Sequence, residues 1–196
     1  MRRALKLGAI GLGLLVGALV VLAISGTILL LATETVKTYK AVSTSMTPAL
    51  ECAEPVSGCE SDSSDRFAVL TRFRSFDRAD IVVFETPSRA VAECGAGGTF
   101  VQRIIGLPGE SVQIRVRGGA AYVYVDGAEL EEPYIEQDRR DIGPEKRFRV
   151  PEGHYFVMGD NRSRTCDSRI YGSVPTENVV GEVALTYWPP SRISFR

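Results

Sequence analysis

The stretch from Val42 to Leu50 is rich in small hydroxyl side chains and carries a proline near its end. Ser43, Thr44 and Ser45 are consecutive, and Pro48 fixes its own φ and biases the preceding residue toward an extended conformation. Such a loop can come close to a substrate carbonyl, so that one serine attacks while a neighbouring hydroxyl and backbone N–H groups hold the oxyanion. Taken alone, the stretch is also compatible with a Ser/Thr-rich linker.

A second polar stretch, Gly159–Arg169, follows the apolar pattern of residues 155–158. It holds two Asp, two Ser, one Asn and three Arg within eleven residues. Charged and polar groups are costly to bury unless they satisfy one another. The pattern therefore predicts a hydrogen-bonded loop that braces the fold, serves a functional site, or does both.

Composition restricts the classes of function. The chain has 196 residues, which allows one anchor and one domain, and 23 basic against 24 acidic residues give a net charge of -1. Nucleic acid binding is not indicated, because a basic excess is absent. His154 is the single histidine and no C-x-x-C motif occurs, so neither a zinc site nor another cofactor is expected.

From Arg66 onward the apolar residues recur with a period of two, which predicts a mainly β domain. Asp126-Gly127 is a hairpin turn signal. The mixed-sign run at 138–141 and 145–147 is expected to be a solvated loop. The predicted strands cover residues 67–73, 81–84 (buried on both faces), 112–117, 122–125, 155–158 and 179–188.

The N-terminal segment predicts a membrane anchor. Residues 1–6 are basic, and no residue from Leu7 to Thr33 is charged, whereas a spanning helix needs about 20 residues. A cleaved signal peptide is the alternative, although its apolar region typically covers only about 7–15 residues. The basic flank predicts a cytoplasmic N-terminus. The expected domains are a basic end and transmembrane helix at 1–33 and an extracytoplasmic β-rich domain at 34–196.

Four cysteines fit an extracytoplasmic location, where disulfides persist. Cys52 and Cys59 bracket a turn-rich hexapeptide and form the predicted pair, while Cys94 and Cys166 lie in separate predicted loops. Four cysteines allow three connectivities, and sequence does not choose among them.

Together these stretches resemble the type I signal peptidases of bacteria, which are membrane-anchored serine proteases that remove signal peptides from exported proteins. The serine box of that family is present as residues 43–50. Its Gly-Asp-Ile-Val-Val-Phe strand is present as residues 79–84, with Ala79 at the glycine, and its Lys-Arg-Val-Ile-Gly-Leu-Pro-Gly-Asp box as residues 102–110. Its Gly-Asp-Asn-Arg and Asp-Ser-Arg boxes are residues 159–162 and 167–169.

The resemblance implies an antiparallel β-sheet fold with an apolar face near membrane lipid, and a role for each matched residue. Ser45 is the implied nucleophile, the Ser43 hydroxyl and the Ser45 N–H form the oxyanion hole, and Thr165 orients the base. The implied partners are signal peptides with small residues, typically Ala, at the first and third positions before the cut. The implied supporting residues are Arg103, Asp160, Asn161, Arg162, Asp167, Ser168 and Arg169.

Gln102 departs from the family pattern, because the family has a neutral lysine there that takes the proton of the serine. An amide nitrogen has no usable basicity near neutral pH. One alternative is an inactive relative that binds signal peptides without cleaving them. A second alternative is a form in which the lysine was replaced. A third is a different base, such as Lys40 or Lys37.

Overall fold

The computed structural model describes residues 20–21, 35–52, 63–71, 75–141 and 143–196. The chain divides into Met1–Lys37 and Thr38–Arg196, and the account below concerns the second unit. Apart from residues 20–21, the predicted anchor at 7–33 lies outside the described residues. In the described part of the chain, no helix is both long and apolar enough to cross a membrane.

The described residues form mainly strands, with two short α-helices, α1 (Ser88–Cys94) and α2 (Ser168–Tyr171). Single 3-10 turns cover Gln137–Arg139, Thr176–Asn178 and Pro190–Arg192. The strands are β1 (Val36–Lys40), β2 (Arg66–Leu70), β3 (Ile81–Glu85), β4 (Thr99–Gly106), β5 (Ser111–Arg117), β6 (Ala120–Val125), β7 (Ala128–Glu129), β8 (Lys146–Arg149), β9 (His154–Met158), β10 (Val174–Pro175), β11 (Val179–Trp188) and β12 (Ser194–Phe195).

The larger sheet has the order β1-β2-β11-β3-β4-β9-β10, with β12 also paired to β11. In its centre, β3 is buried on both faces, as predicted. Ile81 and Val83 point into a core with Met46 and Leu50, whereas Val82 and Phe84 point into a second core that contains Tyr171. Successive strand residues face opposite sides, so a strand covered on both sides reads as a continuous apolar run.

The smaller sheet has the order β7-β6-β5-β8. Its β6–β7 connection confirms the predicted hairpin, since Asp126 and Gly127 have φ values of 49° and 90° and Val125 pairs with Ala128. Both values are positive, as a two-residue type I′ turn requires. Val112 and Val123 of this sheet pack with Phe156 of the larger sheet. The pairings of β11 with β2, β3 with β4, β4 with β9 and β5 with β6 are antiparallel, which confirms the mainly β, antiparallel prediction.

Three local predictions were wrong in part. The strand predicted at 67–73 ends at Leu70, and Cys94 ends helix α1 and does not lie in a loop. The charged run is not simply a solvated loop. Lys146 begins β8, Asp141 accepts a hydrogen bond from Arg169 at 2.7 Å, and Arg140 pairs with Glu132 at 3.2 Å. Periodicity misses these features because their partners are distant in sequence.

Candidate active site

The serine loop, residues 43–50, is held by apolar side chains at its end. Met46 and Leu50 are almost fully buried against the larger sheet, and the Leu50 N–H donates to the Met46 carbonyl at 2.9 Å. The hydroxyls of Ser43 and Ser45 lie toward the opening, with their Oγ atoms 2.9 Å apart. The loop thus presents two hydroxyls from a backbone that packing keeps in place.

Asn161 attaches the polar stretch to this loop. Its backbone N–H donates to the Ser45 carbonyl at 2.9 Å, and its side-chain Nδ2 donates to the Thr44 carbonyl at 3.1 Å. Gly159 lies so close that a Cβ there would be 2.6 Å from the Ser45 carbonyl oxygen and would also overlap Thr165. The two stretches singled out in the sequence are therefore in direct contact, and a glycine is needed where they meet.

Gln102 is buried on β4, with 2% of its surface exposed. Its Nε2 donates to the Cys166 carbonyl at 2.7 Å and to Thr165 Oγ1 at 3.3 Å, and its Oε1 accepts from the Tyr171 hydroxyl at 2.7 Å. Burial raises the pKa of Tyr171, and the carboxylate of Asp167 adds to this effect, so the phenol stays protonated and can donate. The amide of Gln102 has partners on both its donor and its acceptor side.

Asp160 forms a buried bidentate ion pair with Arg103, the residue after Gln102. Arg103 Nε donates to Oδ1 at 2.8 Å and Nη2 to Oδ2 at 2.5 Å. The guanidinium carbon of Arg103 lies 4.0 Å from the ring centroid of Tyr134. Two charged hydrogen bonds and a stacked ring compensate the desolvation of the pair, so β4 and the polar stretch are joined beside the serine loop.

Asp167, Ser168 and Arg169 hold the far end of the polar stretch. Asp167 is the N-cap of α2, where its carboxylate accepts from the Arg169 backbone N–H at 3.1 Å and from the guanidinium at 2.8 Å. It also accepts from the Gly159 N–H at 3.2 Å. Ser168 Oγ accepts from the Val157 N–H at 3.0 Å, and Arg169 donates to the Arg162 carbonyl at 2.8 Å.

Arg162 reaches away from the serine loop to a residue that sequence reasoning missed. Its guanidinium pairs with the buried carboxylate of Glu132 through Nη2 and, at 3.2 Å, through Nη1. Arg140 donates to the same carboxylate at 3.2 Å. Tyr171 was also missed. A tyrosine two residues after the Asp-Ser-Arg box carries no motif signal, and Glu132 lies in an ordinary Glu-Glu-Pro-Tyr segment.

A mainly apolar groove of about 420 Å³ brings the predicted reactive residues together. Ser43, Ser45 and Gln102 line it, and Lys40 lies along its wall. Further lining residues supply an apolar surface, including Met46, Leu50, Val83, Phe100 and Val101. The groove therefore brings two serine hydroxyls together with an apolar wall.

The cysteine pairing that sequence left open is partly decided by the structure. Cys94 and Cys166 form a disulfide with their Cα atoms 6.0 Å apart, and both line the groove. Cys52 is also disulfide-bonded. Its predicted partner Cys59 lies outside the described residues.

Residues 13–188 match the model of the family described as signal peptidase, peptidase S26. Signal peptidase I of Leptolyngbya laminosa is 42% identical over 120 residues, which cover 59% of this chain and 55% of that protein. Signal peptidase I of Bacillus licheniformis is 35% identical over 130 residues, which cover 60% and 62%. A solved signal peptidase I from Enterococcus faecalis is 33% identical, with 56% of this chain and 97% of that chain covered and a TM-score of 0.44. The chain spans less than two thirds of the length of the two curated relatives.

Proposed function

Because the chain belongs to the signal peptidase family, peptidase S26, we propose that it removes N-terminal signal peptides from exported preproteins with Ser45 as nucleophile. The observation that carries the proposal is the position of the Ser45 hydroxyl at the apolar groove, 2.9 Å from the Ser43 hydroxyl. The comparisons give no support to the alternative of a relative that binds signal peptides without cleaving them.

In the proposed reaction, Ser45 Oγ attacks the carbonyl carbon of the scissile peptide bond. The Ser43 hydroxyl and the Ser45 N–H hold the oxyanion. Collapse of the tetrahedral intermediate breaks the C–N bond, and the new N-terminus of the mature chain leaves with a proton. Water then hydrolyses the ester, which frees the signal peptide and restores the serine. The two hydrogen bonds from Asn161 support this assignment, because they fix the carbonyls of Thr44 and Ser45, and Gly159 allows the close approach that they need.

The proton of Ser45 must go to a group other than Gln102, since a carboxamide nitrogen is not a base near pH 7. The Ser43 hydroxyl is no stronger a base than the Ser45 hydroxyl, so it does not take this proton. Among the described residues that line the groove, Lys40 carries the one amine. We assign to Lys40 the role of proton acceptor in the chain as it stands.

The groove supports cleavage after small side chains. Its walls are apolar and built from buried side chains such as Met46, Leu50 and Val83. Discrimination by one methylene is worth only about 1–3 kcal/mol in an apolar pocket, but branched side chains are rejected by overlap. We therefore propose alanine at the first and third positions before the cut.

The location we propose is a single-pass anchor at residues 1–33, with the N-terminus in the cytoplasm and the β domain, 34–196, at the outer face of membrane lipid. The basic residues 1–6 support this orientation. Protease added to intact spheroplasts is expected to digest the chain beyond Glu34. Protection of that region until lysis would reverse the orientation and contradict the proposed function.

The proposed function is tested with the full chain purified in detergent and a preprotein carrying an Ala-x-Ala site. We expect the parent to release the signal peptide, and Ser45→Ala to lower the rate by up to about 10⁶-fold. Lys40→Gln removes the assigned proton acceptor and should also lower the cleavage rate. Ser194→Ala, at an exposed serine, is the matched control and should leave the rate unchanged. If the parent binds the preprotein but Ser45→Ala changes nothing, or if no cleavage occurs at all, the proposal is wrong.

A further inference from the structure

A second cavity lies on the other side of the serine loop from the apolar groove. It has a volume of about 570 Å³, and Thr44, Thr47 and Asn161 are part of its wall. The loop thus contributes Ser43 and Ser45 to the groove and the threonines to the second cavity, so it forms the wall between them. We call the second cavity the polar cleft.

A peptide cleaved at Ser45 has to occupy both sides of that residue. If the signal peptide lies in the apolar groove, as proposed above, the residues after the cut must continue away from it. An extended chain advances about 3.3 Å per residue, so the first few of these residues stay beside the serine loop. The polar cleft borders that loop, and its hydroxyl and amide groups suit the polar start of a mature protein.

Arg164 lines both the apolar groove and the polar cleft. It therefore lies near the position where a bound peptide would pass from one cavity to the other. Its backbone N–H donates to the Asn161 carbonyl at 2.9 Å, which holds it next to the serine loop. The side chain is exposed, so its guanidinium is accessible to a ligand.

Two other charged residues of the polar cleft, Glu51 and Arg139, form ion pairs with neighbouring side chains. Glu51 Oε1 lies 3.2 Å from Arg192 Nη1, and Arg139 Nε lies 2.5 Å from Glu136 Oε2. Among the ion pairs of the described residues, none involves the guanidinium of Arg164. Asp138, exposed on the 3-10 turn Gln137–Arg139, also lines the polar cleft. The guanidinium of Arg164 is thus available for a carboxylate.

We propose that the polar cleft binds the first residues of the mature chain and that Arg164 selects an acidic residue there. This inference rests on the proposed function and names the substrate class more narrowly. It covers preproteins with small residues before the cut and Asp or Glu directly after it. An exposed arginine–carboxylate pair is expected to improve binding about two- to five-fold.

The experiment measures peptide binding to the full-length Ser45→Ala chain in detergent, so that no cleavage intervenes. One fluorescent peptide ends at the alanine of an Ala-x-Ala site as a carboxamide. Three others continue with Asp-Asp, Asn-Asn or Lys-Lys. We expect each neutral or acidic extension to tighten binding, with Asp-Asp binding about two- to five-fold more tightly than Asn-Asn and less so as salt is raised.

Adding Arg164→Gln is expected to make Asp-Asp and Asn-Asn equal, while Arg147→Gln, at an exposed arginine of β8, leaves the preference intact. The proposal is overturned if the extensions add no affinity to the carboxamide peptide, or if the acidic preference survives Arg164→Gln. In both of these cases the carboxamide peptide still binds and the proposed function stands. If no Ala-x-Ala peptide binds, both proposals fail together.

Discussion

Gln102 is held by the three hydrogen bonds that a lysine base would have to replace. The acceptors for its Nε2, Thr165 Oγ1 and the Cys166 carbonyl, could also receive an ammonium or amine. The Tyr171 hydroxyl, however, donates to the Gln102 carbonyl oxygen, and a lysine offers no carbonyl. The site is therefore adapted to glutamine through Tyr171, and the ammonium form of a lysine there leaves the Tyr171 hydroxyl without this acceptor.

We expect Gln102→Lys to raise preprotein cleavage by about 10²-fold or more, because an amine held on β4 beside Thr165 would take over from Lys40 on the groove wall, and a well-positioned general base contributes about 10²–10⁴-fold. Burial disfavours the charged form of a lysine and lowers its pKa toward neutrality. Adding Tyr171→Phe removes the hydroxyl that lacks an acceptor whenever the lysine is protonated, so the double variant should be more stable than Gln102→Lys alone. Initial cleavage rates and thermal unfolding of the full chain measure both effects.

The control for this prediction is Ser45→Ala in the Gln102→Lys background, which should be inactive. Equal rates for the parent and for Gln102→Lys, with both folded, would show that glutamine is not the limiting feature of the site. A rate gain that survives Ser45→Ala would contradict the assignment of the nucleophile.

Ala79 has a φ of 76°, a left-handed conformation that costs an L-residue about 1–2 kcal/mol. The family motif that residues 79–84 resemble begins with glycine, and a positive φ is a conformation that glycine adopts without this cost. The Ala79 carbonyl accepts from Arg103 Nη1 at 2.8 Å, so this conformation also orients a partner of the buried Arg103–Asp160 pair.

We expect Ala79→Gly to raise the free energy of unfolding by about 0.5–1 kcal/mol, because relief of the strain exceeds the added entropy of the unfolded chain. Ala128→Gly, at an exposed strand position, is the control and should lower it by about 0.5–1 kcal/mol. Denaturant titration of the full chain in detergent measures both. A loss of stability in both variants would mean that the strain is absent.

Helix α1 and the segment before α2 are joined by the Cys94–Cys166 disulfide. Cys166 also supplies the carbonyl that receives Gln102 Nε2 at 2.7 Å, and Thr165 precedes it. A covalent link at this point therefore holds two of the three partners of Gln102 against the groove.

Replacing both cysteines by serine is expected to lower the free energy of unfolding by about 3–4 kcal/mol, because the link closes a separation of 72 residues. Substitution is preferable to a reductant, since Cys52 is disulfide-bonded as well. Cleavage by the double variant should also fall, as the backbone beside Gln102 is released. Unchanged unfolding and unchanged cleavage would show that packing alone holds this segment.

At the scale of the whole domain, Glu132 connects the smaller sheet to the candidate site. It follows β7 closely in the chain, and its buried carboxylate pairs with Arg162 and Arg140. Arg162 in turn donates to the Gly159 carbonyl at 3.1 Å, one residue before Asp160. A buried charge cluster therefore connects the segment after the smaller sheet to the candidate site, in addition to the apolar core between the two sheets.

We expect Glu132→Gln to lower the free energy of unfolding by about 3–5 kcal/mol, because Arg162 would keep a buried charge without its counter-charge. Glu131→Gln, at the exposed neighbouring carboxylate, should change it by less than about 0.5 kcal/mol. Chemical denaturation of the two variants gives the comparison. Similar values for both would contradict the role of the buried cluster.

The sequence by itself determined the features that depend on neighbouring residues. Strand periodicity predicted the mainly β fold, and Asp126-Gly127 predicted its hairpin, because backbone preference and side-chain alternation are local. The serine loop and the stretch 159–169 were also recognisable, since hydroxyl, acidic and arginine side chains concentrated in short segments are unusual in a core.

The tertiary structure decided everything that joins distant segments. Tyr171 and Gln102 are 69 positions apart, Arg162 and Glu132 are 30 apart, and the disulfide spans 72. No local pattern marks such partners, because any buried polar group can be satisfied by whichever donor or acceptor the packing brings within about 3 Å. The Cys94–Cys166 pairing and the shared position of Arg164 between groove and cleft follow from how the sheets place these segments in space.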